Sequence, residues 1–187
     1  MKFASILWRR VDRPGHEACR LTAVRGGWRL QGTAVFDHRG LPCRFDYYIR
    51  VDAAWRTRSA VVEGWIGARN VRREIAVSPS RRWTMDGKAQ PRVAGCVDID
   101  LNFSPSTNVL PIRRLALGVG REATVRAAWL RFPSFRLEPL DQVYRRTGRR
   151  TYRYESAGGR FTRDLDVDAN GLVTRYPGFW EIDPASR

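Results

Sequence analysis

Residues 96–117 read CVDIDLNFSPSTNVLPIRRLAL, and this stretch decides how the rest of the chain is to be understood. In its first half Asp98, Asp100 and Asn102 alternate with Val97, Ile99, Leu101 and Phe103. Side chains in a strand repeat every two residues, so the alternation predicts a strand with one polar and one apolar face. Residues 104–108 then gather turn formers and helix-capping residues, Ser-Pro-Ser-Thr-Asn. Val109, Leu110, Ile112, Leu115, Ala116 and Leu117 follow at roughly helical intervals and predict a short, mostly apolar helix, the only convincing one in the chain.

Working outward, the neighbouring segments are strands. Residues 18–24 and 28–36 flank a glycine turn at Gly26-Gly27, and 37–40 form a second turn. From Cys43 the pattern is clearest: Cys43, Phe45, Tyr47, Ile49 and Val51 fall on one face, against Arg44, Asp46, Tyr48, Arg50 and Asp52 on the other. Residues 56–65 and 71–77 repeat the theme, and a turn at Asp86-Gly87 closes the first half. Beyond the helix come short runs at 123–132, 135–146, 151–155, 161–168 and 172–176, most of them separated by turn signals such as Ala157-Gly158-Gly159 and Asn170-Gly171. Pro133 and Pro139 point to strand ends or edge positions. The expected fold is mainly β: one domain over residues 1–187, with a large curved antiparallel sheet, open and barrel-like, wrapped around a single short α-helix so that both bury an apolar face.

Composition narrows the function. The 187 residues carry a formal charge of +15, which invites a polyanion partner, yet of 34 basic residues only Lys2 and Lys88 are lysines and the arginines are scattered along nearly every segment. That scatter argues against a specific nucleic-acid site. Cys19, Cys43 and Cys96 are odd in number and share no CxxC spacing, so buried free thiols are expected in place of a disulfide framework or zinc site. The apolar run at residues 3–8 is cut short by Arg9-Arg10, and no run approaches the ~20 residues of a membrane span, so a cytoplasmic protein without a transmembrane segment is expected. Because a curved sheet leaves two edges, a homodimer that protects them is also expected.

Several chemistries can be weighed residue by residue. The Asp98-x-Asp100-x-Asn102 tract lacks the glycine and the closing Glu of a calcium loop, and Asp166–Gly171 reads as a hairpin turn because its twelfth position is Pro177. No metal or cofactor is implied. Two carboxylates two apart on a strand have Cα atoms ~6.5–7 Å apart, a spacing that glycoside hydrolases use, so Asp98 and Asp100 are open to two readings, acid–base hydrolysis or ligand binding. Nucleophilic catalysis finds no G-x-S-x-G, and His16 and His38 are the only histidines. The seven tryptophans serve mainly the core, with a few left to line a groove, and aromatic faces beside carboxylates are what carbohydrate recognition needs.

These residues carry a resemblance. The runs 96–101, 104–108 and 110–115, with Trp83 and Asp86-Gly87, Trp28 and Gly32, the tract from Tyr48 through 55–58, and Gly171-Leu172-Val173 before Tyr176-Pro177, resemble the glycolipid-binding family of bacterial proteins, formerly a domain of unknown function. Val109 stands where a small polar residue would be expected, which leaves the helix more apolar. The resemblance covers nearly the whole chain. It implies a sheet around one helix, distantly like lipoprotein-localisation factors, with an acidic pocket for a sugar-bearing lipid at Asp98 and Asp100. Asn108 and Arg113, inside the motif, join that ligand-binding set, and Glu63, Trp65, Trp83 and Tyr144 are added on composition. The expected partner is thus a glycolipid or similar amphiphile bound without catalysis. A hydrolase of a glycosidic or acyl bond using the two aspartates, and a basic interaction or nucleic-acid-binding protein, are the alternatives.

Overall fold

The computed structural model describes residues 3–184, and its architecture follows from one detour of the chain. Eight strands run as an antiparallel meander: β1 (Phe3–Arg10), β2 (Gly15–Val24), β3 (Gly27–His38), β4 (Leu41–Asp52), β5 (Thr57–Ile66), β6 (Arg69–Val77), β7 (Trp83–Met85) and β8 (Lys88–Ala89). The chain then leaves the meander through a 3-10 turn (Pro91–Val93) into β9 (Asp98–Asp100), a second 3-10 turn (Ser106–Asn108) and the helix α1 (Val109–Leu115). A second meander follows in β10 (Glu122–Arg131), β11 (Arg136–Arg146), β12 (Thr151–Ser156), β13 (Phe161–Val167), β14 (Val173–Tyr176) and β15 (Trp180–Ile182). It works back until β15 pairs with β1, giving one sheet with β8 and β9 at its edges. The fold is mainly β, a large open curved sheet with a single short helix, as the alternation predicts.

One pairing departs from the all-antiparallel expectation. β9 pairs parallel with β10, Ile99 opposite Ala128. Parallel neighbours need a crossover connection, and α1 with its preceding 3-10 turn is that connection, so the helix exists where the topology requires one. The polar face predicted for residues 97–103 is also shorter than expected. The strand ends at Asp100 because Ser104 N bonds back to Leu101 O at 2.7 Å, and Leu101 N is taken by Thr107 Oγ1 at 3.2 Å. Pro111 sits in the first turn of α1, where its missing N–H costs nothing, and Ala116 ends the helix in a left-handed conformation at φ 45°. Pro139 lies opposite Ala128 beyond the last residue pair that β11 makes with β12, so one side of the strand has no partner there for an N–H. β1, β8 and β15 are strands that short or interrupted patterns did not reveal.

The sheet curls far enough for β9 and the residues before it to meet the first meander. Arg81 Nη1 donates to Thr57 O at 2.8 Å, Nε and Nη2 to Cys96 O at 3.1 and 3.0 Å, and Nη2 to Val97 O at 2.6 Å. Thr57 N reaches Val97 O at 3.2 Å, Ile99 N reaches Thr57 Oγ1 at 3.0 Å, and Trp83 Nε1 adds Cys96 O at 3.0 Å. The β10–β11 turn packs on the same concave surface: the ring of Phe135 lies 5.1 Å from that of Phe45 and Phe132 5.5 Å from Phe36, while Arg69 donates to Pro133 O at 2.8 Å. Two clusters result. The larger holds Ile99, Ala128 and Leu130 against the first meander, and the smaller gathers Ile112, Val125, Tyr144, Tyr152, Leu165 and Val173 around the helix. The three cysteines are buried free thiols.

A carboxylate without a paired cation among the described residues lies in the core. Glu17 on β2 is fully buried; its Oε1 accepts from Ser104 Oγ at 2.5 Å and Tyr47 Oη at 2.6 Å, and Oε2 has no partner among the described residues. Tyr47 reaches it by lying over Gly32, where a Cβ would come 2.4 Å from the Tyr47 hydroxyl. Burial pushes the Glu17 carboxyl up to about 7, against the pull of Ser104, Tyr47 and the Arg10 charge.

Two outcomes follow from these contacts. Arg81→Ala strips the donors from three carbonyls and is expected to cost about 3 kcal/mol in urea unfolding, and Arg81→Lys restores little, since one ammonium cannot serve three acceptors. Glu17 binds its proton more tightly folded than unfolded, so its contribution to stability is complete below about pH 4.5 and is lost as the pH rises through about 7. Unfolding free energy is therefore expected to fall between pH 5 and 8, and Glu17→Gln should flatten that slope, most visibly above pH 6.

Candidate ligand cavity at Asp100

Asp98 and Asp100 share a face of β9 but meet different neighbours. Asp98 is 1% exposed and is gripped by Arg114 of α1, whose Nε and Nη2 donate to Oδ1 and Oδ2 at 3.1 and 2.5 Å. Burial raises its carboxyl above the usual value while Arg114 and Arg81 pull it down. The pair ties strand to helix and closes Asp98 off. Asp100 pairs with no cation among the described residues. Its Oδ2 accepts from Gln142 Nε2 at 2.6 Å, and the carboxyl is half-buried at the floor of a cavity of about 490 Å³. Burial lifts it to about 6, with the Gln142 hydrogen bond opposing the shift. A carboxylate so placed ionises near neutrality and accepts hydrogen bonds from whatever enters.

The cavity is built from segments far apart in sequence. The β9–α1 connection supplies Asn102, Ser104 and Asn108 as further polar groups beside Asp100. Trp129 from β10, Tyr154 from β12, Tyr176 from β14 and Trp180 from β15 provide aromatic walls, extended by Phe161 and Phe179. The cavity also meets Phe132 and Leu140, so apolar surface continues from the aromatic walls. Arg10 and Arg13 bring positive charge to the lining, and His38 stands beside them. Arg10 is fixed, with its guanidinium 4.8 Å from the ring of Phe36 and 4.7 Å from that of Trp180 while it forks onto Asp12 with two bonds of 2.9 Å. His38 packs edge-on to Phe132 at 4.7 Å; burial together with Arg39 and Arg13 lowers its pKa, so it stands neutral at pH 7. Ser104 joins the cavity to the core through its bond to Glu17.

Of the eight residues read from the sequence as ligand-binding, Asp100 and Asn108 line this cavity. Asn108 also donates to Tyr144 Oη at 3.3 Å, which places Tyr144 just behind the wall, 1% exposed and 5.1 Å ring to ring from Tyr154. Asp98 is sealed by Arg114. Trp83 is part of the Arg81 junction, 5.6 Å from that guanidinium. Glu63 and Trp65 stand on the outer face of β5, Glu63 paired with Arg72 at 2.6 Å and Trp65 opposite Arg44. Arg113 faces a separate cleft. Apart from Trp180 on β15, the wall residues on strands belong to strands that the sequence identified without saying which side of them met the helix. Trp129 and Trp180 fulfil the expectation that a few tryptophans line a groove.

Comparison with known proteins agrees with this architecture. A DUF1089 family protein from Pseudomonas aeruginosa has a crystal structure that superposes with a TM-score of 0.80 at 34% sequence identity, over 93% of this chain and 94% of that one. Among curated proteins no match is found. A family model matches residues 5–181, and the chain belongs to that family, described as "Putative glycolipid-binding".

Proposed function

We propose that the chain binds an amphiphile bearing a sugar, with the sugar in the Asp100 cavity and the apolar chain running over Phe132, Leu140, Phe161 and Phe179. The observation that carries this reading is the Asp100 carboxylate, bonded on Oδ2 by Gln142 and lining a cavity whose walls are aromatic. A pyranose offers apolar C–H faces that stack on Trp129, Tyr176 or Trp180 and hydroxyls that donate to a carboxylate, a bond about twice as strong as a neutral one. Family membership supports the same ligand class. The size, about 490 Å³, falls in the roughly 300–1,000 Å³ range of small-molecule sites.

Binding is better supported than hydrolysis. An acid–base mechanism needs two carboxylates open to the bond, whereas Asp98 spends both oxygens on Arg114. No helix among the described residues is long and apolar enough to cross a membrane.

Calorimetric titration with octyl glucoside and dodecyl maltoside provides the test. Asp100→Asn and Trp129→Ala should each weaken binding about tenfold or more, whereas Glu63→Gln on the outer face should not; unchanged affinity in Asp100→Asn defeats the assignment. Because the sugar hydroxyls favour ionised Asp100, affinity should fall as the pH drops through about 6, and Asp100→Asn should lose that dependence.

A further inference from the structure

A second concavity, of about 470 Å³, opens where the C-terminal end of α1 meets the β11–β12 and β13–β14 turns. Its cations are Arg113, Arg146, Arg149 and Arg150, and its one acid is Asp168. That acid is already committed: Oδ1 accepts from Asn170 N at 2.9 Å and Leu172 N at 2.8 Å, and Oδ2 from Asn170 Nδ2 at 3.0 Å. It forms the hairpin turn and pairs with no arginine.

The arginines divide into one that builds and three that point outward. Arg146 donates to Leu117 O at 2.8 Å, Gly148 O at 3.2 Å and Arg149 O at 2.6 Å, which folds the β11–β12 turn back over the helix end. Arg149 and Arg150 ride on that turn, exposed, with no ion pair or side-chain hydrogen bond among the described residues. Arg113 lies with its guanidinium over the Trp55 ring, 5.1 Å from the centroid, and Trp55 stacks in turn on Trp28 at 4.9 Å. Trp55 adopts φ +62° to lie there, a conformation a bulky residue takes only under constraint. A guanidinium stacked on a ring keeps its N–H edge free for an acceptor.

We propose that this cleft binds a phosphate ester. Three unpaired guanidinium forks around one concavity call for a ligand with more than the two oxygens of a carboxylate, and a phosphate supplies them at bidentate geometry. The volume exceeds that of the bare anion, and Ile112, Ala116, Tyr152 and Val167 give it an apolar wall. A lipid headgroup and a free sugar phosphate present the same chemistry. The site is separate from the Asp100 cavity and stands whether or not that cavity takes a sugar.

The full chain is to be titrated with glucose 6-phosphate, and tested in flotation with phosphatidylcholine vesicles with and without phosphatidic acid. Binding to glucose 6-phosphate identifies a free phosphate ester as ligand; binding only to the phosphatidic acid vesicles identifies a headgroup. In either case Arg149→Gln with Arg150→Gln should weaken binding about tenfold or more, and Arg113→Gln alone should weaken it measurably. Arg44→Gln with Arg72→Gln, an equal charge change on the outer face, should leave binding intact, as should Asp100→Asn. No binding to either probe, or equal losses in the two double variants, would overturn the proposal by assigning any attraction to the overall +15 charge. Loss in Asp100→Asn would overturn the separate site.

Discussion

A chain that passes through the inside of its own sheet must find a partner for every backbone group it carries there. At residues 96 and 97 both carbonyls are met by one guanidinium, with Trp83 and Thr57 adding a donor each. Arg81 gathers the carbonyls of Thr57, Cys96 and Val97, and Thr57 returns its own N–H and hydroxyl to the same segment. Without that junction β9 would be an open edge in a buried place. With it, the crossover is anchored, the parallel pair with β10 has a fixed starting point, and the second meander is set at the depth from which the cavity is made.

Much of this was legible from alternation alone. Residues 43–52 display their buried and exposed faces as the sequence orders them, and the glycine turns fall where φ must be positive, as at Gly26 and Gly171. What alternation does not carry is the identity of the neighbour across a face. Asp98, Asp100 and Glu17 each look like solvent-facing polar positions in a strand, and each is enclosed, because the curl brings Arg114, Gln142 or Ser104 opposite. The closing of β1 on β15 was invisible for the same reason. It joins residues about as far apart as the chain allows; β15 is three residues long, and the apolar run of β1 is cut short by Arg9-Arg10.

The two aspartates of β9 illustrate how position sets chemistry. They are two residues apart on the same strand, yet a helix residue neutralises one and an amide meets the other. An ion pair so buried repays its desolvation mainly by fixing geometry, here the angle between β9 and α1. An amide partner leaves the second carboxylate titratable and open on one side. The cavity therefore gains a single acceptor of tunable charge, with the neighbouring ion pair acting as its frame.

The neighbours β1 and β15 impose an order on the birth of the molecule. The first strand made lies in mid-sheet and waits for the last: until Trp180–Ile182 has left the ribosome, β1 presents unpaired backbone on one side and β14 does the same. Two half-sheets, each with a sticky flank, must remain apart from other chains through nearly the whole of synthesis, and a truncation of a few residues before position 180 would leave both flanks exposed for good. The indole of Trp8, donating to Val173 O across the gap, is poised to draw the flanks together as soon as β14 exists.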